Sequence, residues 1–185
     1  MNLEKFEAEL KDLVGKPFHD RPFVCDGSPL DCQVFIVGIN AASKMKEDFW
    51  DFWRPGYGFD KQAWYRAYLN SRTKTSRTRT AMQIVMDEAI SMNGNARFIE
   101  TNIYSIPTAR ERMLKREQMS TQVFDFLLET IKPKILLVHG AKPNRYLQKN
   151  GYGNSRVIET PHFVRISHEF ARARGREIAQ ALAGA

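Results

Sequence analysis

The sequence predicts a single α/β domain over residues 1–185: a small three-layer α/β/α sandwich with a four-stranded, mostly parallel central sheet. Short apolar runs of strand length alternate with segments of helical periodicity, and that order implies right-handed crossovers with helices over both sheet faces. A length of 185 residues suits one hydrophobic core. Neither an internal repeat nor a low-complexity linker divides the chain.

Leu3, Phe6, Leu10 and Leu13 recur at helical spacing until Gly15 and Pro17, which predicts an amphipathic first helix. A Pro- and Gly-bearing loop leads to Gln33-Val-Phe-Ile-Val-Gly38, an apolar run that reads as a central strand. Ala81, Ile84, Val85, Ala89 and Met92 predict a crossover helix stopped by Gly94, and residues 97–104 a second strand ended by Ser105 and Pro107. Val123, Phe126, Leu127 and Ile131 form the next helical face, before a third strand at residues 134–138. A short helix between Pro143 and Gly151 follows. Residues 156–158 and 163–166 supply one or two further strands, the latter taken as the fourth of the sheet, and residues 168–183 a closing helix with Ala171, Ile178 and Leu182 on one face. The long insertion at residues 41–76 lies between the first strand and its crossover helix, so it is expected over the carboxyl ends of the strands, where such folds bind ligands.

A formal charge of +7 attracts polyanions, of which nucleic acid is the commonest inside cells. Residues 1–16 lack the basic start and apolar run of a secretory signal, and no stretch approaches the roughly 20 apolar residues of a membrane span. Cys25 and Cys32 are too few for a disulfide scaffold or an all-Cys metal site. A soluble, cytoplasmic monomer with reduced thiols and no membrane partner is expected. His19, His139, His162 and His168 lack metal-ligand spacing, and no glycine-rich phosphate loop is present, so neither metal nor cofactor is expected.

The strand ends carry the chemistry. The first continues into Val37-Gly38-Ile39-Asn40-Ala41-Ala42-Ser43, where Gly38 permits close backbone approach and the small residues leave amides open to a ligand. Asn102, near the end of the second strand, has an amide that can read a donor and an acceptor on a base edge, or cap a turn. His168 opens the last helix, whose positive end favours the neutral imidazole, with Arg165, Arg172 and Arg174 around it; the alternative is an exposed capping residue. The insertion holds Trp50, Trp53 and Trp64 with six further aromatic residues; most suit a local subcore, and one or two could stack a base. After it, Arg72, Lys74, Arg77 and Arg79 alternate with hydroxyls, a pattern that holds phosphates or forms a solvated face.

Together these segments resemble the uracil-DNA glycosylase superfamily. Val37-Gly-Ile-Asn-Ala-Ala42 is similar to its first motif, closest to the Gly-Ile-Asn-Pro-Gly form of the mismatch-specific branch. Thr101-Asn102 resembles the base-reading Asn, Leu137-Val-His-Gly-Ala141 the third strand and its turn, and Ile166-Ser-His168 the second motif. Ala41 and Ala42 replace the Pro-Gly pair, and Glu169-Phe170 replaces the usual Pro-Ser after the His. The shortage of cysteines excludes the iron–sulfur branches.

The resemblance implies hydrolysis of the N-glycosidic bond of uracil or a related deaminated base, flipped out of DNA. Asn40 would position water and His168 would donate to the departing base. Gly38, Ile39, Ala41 and Asn102 would contact the base, with Phe52 or Trp53 stacking on it. Arg165, Arg172 and Arg174 would face DNA, and Arg77 and Arg79 would hold phosphates. Two other readings share the fold: a non-catalytic nucleic-acid-binding domain, and an enzyme acting on free nucleosides or nucleotides in the same cleft.

Overall fold

The computed structural model describes residues 1–14, 21–41, 45–108 and 111–184. Gly15, Pro17 and His19, Ala42 of the first motif and Ser43 after it lie outside them.

Helix α1, Leu3–Leu13, is capped by Asn2, whose side chain accepts from the Lys5 amide, and it buries Phe6 and Leu10. The sheet begins with the short strand β1, Phe23–Val24, and its central member β2, Val34–Asn40. The insertion then forms a small hairpin of β3, Trp53–Arg54, and β4, Gly58–Phe59. Helices α2, Lys61–Asn70, and α3, Arg77–Met92, follow, capped by Asp60 and Ser76. Strand β5, Phe98–Tyr104, and helix α4, Gln122–Ile131, precede strand β6, Ile135–His139, and helix α5, Ala141–Asn150. Strand β7, Arg156–Thr160, and helix α6, His168–Ala183, complete the order.

The main sheet runs β1-β5-β2-β6-β7. Its last four strands are parallel and β1 is antiparallel to β5. It therefore has five strands rather than the expected four. The added edge strand is two residues long, too short to show a period, and it is held by the Thr101 hydroxyl donating to the Pro22 carbonyl at 2.7 Å. The fourth parallel strand is β7; residues 163–166 are not a strand, because His162 caps a 3₁₀ turn at Phe163–Arg165.

Side chains alternate across the sheet as a pleat demands. Phe35 and Val37 of β2 join a buried cluster with Phe6, Phe124 and Leu147. Val34 and Ile36 join another with Val85 of α3 and Ile178 of α6. Helices α3 and α6 approach closely because Gly175 has no side chain: a Cβ there would lie 2.7 Å from the Val85 carbonyl oxygen and from the Glu88 Cβ. Among the described residues no helix is long and apolar enough to cross a membrane.

The second half of the insertion is helical, which an inserted loop does not anticipate. Trp64 and Tyr68, one turn apart on α2, are buried and stack at 5.3 Å with 20° between their planes. Tertiary packing of these two rings stabilises a helix whose ten residues would be marginal alone.

Candidate active site

A cleft of about 270 Å³ opens at the carboxyl ends of β2, β5 and β6. Asn40, the last residue of β2, Asn102 of β5 and His139, the last of β6, reach it from below. The register places Gly38 directly beside Asn102. A Cβ on Gly38 would lie 2.5 Å from Asn102 Oδ1 and 2.9 Å from His139 Nε2. Glycine at this position is therefore what lets an amide and an imidazole converge over the central strand.

One wall is apolar. Phe23, Phe49 and Phe59 line it, with Phe49 stacked on Phe59 at 5.1 Å and edge-on to Phe23 at 5.0 Å. The facing wall is aromatic and cationic: Arg79 lies 4.9 Å over Trp64, and Arg72 4.8 Å over Tyr68. Both kinds of surface suit a planar, polarisable ligand.

Beside Arg79, Glu100 is buried in a charged triad, 5% exposed. Its carboxylate pairs with Arg79 and, at 3.0 Å, with Lys61. Burial works to raise the Glu100 pKa, but the two cations outweigh it and hold the pKa below its ordinary value. Glu100 is thus ionised at neutral pH and neutralises Arg79, which lines the cleft, and Lys61, which does not.

The Asn40 amide nitrogen donates to the Thr108 hydroxyl at 2.8 Å and more weakly to the Thr108 and Ala41 carbonyls. These bonds fix the amide so that its carbonyl oxygen is the acceptor available for other chemistry. Among the described residues no hydrogen-bond partner meets the Asn102 side chain, so both its donor and its acceptor remain for a ligand.

Two imidazoles cover the far end. His162 follows β7 by two residues, and its Nδ1 accepts from the Val164 amide at 3.3 Å, which places the ring proton on Nε2. Burial and the nearby Arg165 lower its pKa, favouring the neutral donor. His139 is 8% exposed, stacked on Phe163 at 4.5 Å and edge-on to His162 at 5.1 Å. Burial, with the neighbouring His162 adding to it, pushes its pKa down to about 3. Both rings are neutral at physiological pH.

The structure brings Asn40, Ala41 and Asn102 together in the cleft, over Gly38. It does not bring in the other expected base contacts. Ile39 packs against the apolar core, and Phe52 and Trp53 are buried away from the cleft. Trp53 instead stacks near Phe6, its indole N–H donating to Glu7 at 2.7 Å. The Phe, Trp and Tyr rings that line the cleft are instead Phe23, Phe49, Phe59, Trp64 and Tyr68. His168 opens α6 on the exposed surface and does not line the cleft, whereas His162 does. Arg79 faces inward to Glu100 rather than outward, and Arg174 pairs with Glu177 at 2.7 Å. Arg77, Arg165 and Arg172 are exposed.

Sequence reasoning missed His139 and His162 as a pair because their spacing suggests nothing; only their positions at the ends of successive parallel strands do. Among the described residues no group of three or more His, Cys, Asp or Glu could hold a metal ion. No protein-family model matches the chain, and no curated protein sequence matches it.

Proposed function

We propose that the protein hydrolyses the N-glycosidic bond of a deaminated base, uracil or a relative, in DNA, with Asn40, Asn102 and His162 as the principal residues. The carrying observation is the convergence of two Asn amides and a neutral imidazole donor between aromatic walls at one end of a parallel sheet. The fold reading extends to a three-layer α/β/α sandwich, supported by the division of alternate β2 side chains between two helix-covered clusters.

In this mechanism the base leaves the duplex stack and enters between Phe49 and the Trp64–Tyr68 wall. Asn102 pairs with its edge through both amide functions. The Asn40 carbonyl oxygen accepts from a water and aims it at the anomeric carbon as the sugar gains oxocarbenium character. Asn40 is too weak a base to ionise that water early, so bond breaking runs ahead of attack. His162 donates its Nε2 proton in a hydrogen bond to the keto oxygen of the departing anion, a contribution of roughly 3 to 4 kcal/mol in the transition state for one such donor. No step requires a metal.

Oligonucleotides containing uracil, hypoxanthine or xanthine, incubated with the protein and cleaved with alkali, test the reading. Abasic-site cleavage is the expected result. Product from free nucleosides but not from oligonucleotides would move the activity to small molecules, and DNA binding without product would leave a non-catalytic binding domain.

A further inference from the structure

His139 is unused by that mechanism, yet it lines the cleft and is only 8% exposed. Its Nδ1 is buried with no hydrogen-bond partner among the described residues, while Nε2 is not so enclosed and faces the space above Gly38. A neutral imidazole carries one proton. On Nδ1 that proton would be a buried donor with nothing to meet, the costlier kind of orphan; on Nε2 it points toward the cleft. Stacking on Phe163 and edge contact with His162 hold the ring in place.

Asn102 Oδ1 and His139 Nε2 converge over Gly38, both within 2.9 Å of the point a Cβ would occupy there. The two groups fill the room over Gly38, so a ligand atom that meets both lies on their cleft side, which Asn102 and His139 line together. An Asn amide can rotate to offer either a donor or an acceptor, so alone it discriminates between keto and amino substituents only as far as its orientation is fixed. An imidazole held as the Nε2–H tautomer presents only a donor at Nε2.

We infer that His139 is a specificity-determining residue: its Nε2–H contacts a keto oxygen on the bound base beside Asn102 and rejects an amino group at the same place. The inference rests on the base-excision reading for the nature of the ligand. It makes selection for uracil over cytosine, and for hypoxanthine over adenine, a property of two side chains meeting over one glycine. A donor facing an amino group leaves two N–H groups opposed and unpaired, which is how a polar site excludes a near-isostere.

The test uses wild-type protein, His139→Phe, which keeps the stacked ring but removes both nitrogens, and His139→Gln, whose amide nitrogen restores a donor near the position of Nε2. Single-turnover excision from uracil- and cytosine-containing single strands is measured together with binding of the free bases. In His139→Phe the preference for uracil over cytosine should fall by roughly 10- to 100-fold, with most of it recovered in His139→Gln. Because either variant could misfold, the tautomer is read independently by ¹H–¹⁵N spectroscopy of wild-type His139, with the Nε2–H form expected. An unchanged base preference in a folded His139→Phe, an Nδ1–H tautomer, or no binding of either base to wild type overturns the inference. Selective uracil binding without excision, lost in His139→Phe, sustains the role of His139 and refutes hydrolysis.

Discussion

Arg79 and Glu100 form an ion pair inside the cleft wall, with side chains 12% and 4% exposed. Lys61 completes the triad and Trp64 lies under the guanidinium, so the pair joins α2, α3 and β5 around the carboxylate. Replacing Glu100 by Gln would leave two cations near an enclosed neutral group. Removing one partner of such a pair costs about 3 kcal/mol, and urea unfolding at neutral pH should show a loss of that order. Acid adds a second signature. The folded pKa of Glu100 is below its unfolded value, so the stabilisation is present above the unfolded pKa and is lost as pH falls through the folded one. Glu100→Gln should lack that component of acid destabilisation.

Gly38→Ala tests whether convergence over the central strand matters to function. The new Cβ would force Asn102 or His139 to move, and β2 pairs on both sides, so its backbone has little freedom to give way. Overpacking should cost about 1 to 3 kcal/mol. Base excision should fall far more than the fraction folded. A variant that retains wild-type turnover would show that the Asn102–His139 niche does not hold the base.

His162 and His168 separate two placements of the donor. Both are exposed, but His162 lines the cleft with its ring proton on Nε2, whereas His168 starts α6 and does not line it. His162→Ala should slow single-turnover excision by about 100- to 1,000-fold. His168→Ala should leave it within about twofold of wild type, since truncating an exposed side chain that does not line the cleft removes no transition-state contact. Asn40→Ala should slow the chemical step by about 100-fold while DNA affinity is retained.

Buried His139 and the more exposed His162 also make stability depend on pH. The unfolded chain takes up protons on these histidines near its ordinary His pKa of 6.5, whereas folded His139 resists protonation down to about 3 and folded His162 is shifted in the same direction. The unfolded state therefore binds more protons over this interval, and stability falls as pH is lowered through it. The slope from His139 alone approaches about 1.4 kcal/mol per pH unit between about pH 6 and pH 4. Urea midpoints across that range should drop in wild type and drop less in His139→Phe.

The strands at the centre of the sheet were legible because burial on both faces makes them continuous apolar runs, as in residues 34–38 and 135–138. Asn40 and Asn102 were legible as polar residues closing such runs. Residues 163–166 carry the apolar pattern of a short strand, yet His162 accepts from the Val164 amide and turns the chain into a 3₁₀ helix; that competition between side chain and backbone leaves no period to read. Because the strand ends at Thr160 instead, the imidazole at its exit is His162 and not His168. Trp64 and Tyr68 were visible as aromatic density, but which rings faced the cleft depended on α2, whose formation is set by tertiary contacts.

The salt dependence of nucleic-acid binding should distinguish exposed arginines from committed ones. Each phosphate neutralised on duplex DNA releases counterions with a logarithmic slope of about 0.9, or about 0.7 on single strands. Arg165, beside His162, and Arg172, 47% exposed on its side chain and only loosely paired with Glu169 at 3.8 Å, are free to approach a backbone. Arg174 is 27% exposed, bonded to Glu177 at 2.7 Å and laid over Phe170 at 5.0 Å, so using it on phosphate would first break an existing pair. Charge reversal at Arg165 or Arg172 should therefore flatten the slope by nearly one contact each, or more through repulsion. Arg174→Ala should leave the slope nearly unchanged. Equal flattening by all three would mean that the Arg174 pair opens on binding, and absence of binding at low salt would show that this basic face serves no nucleic acid.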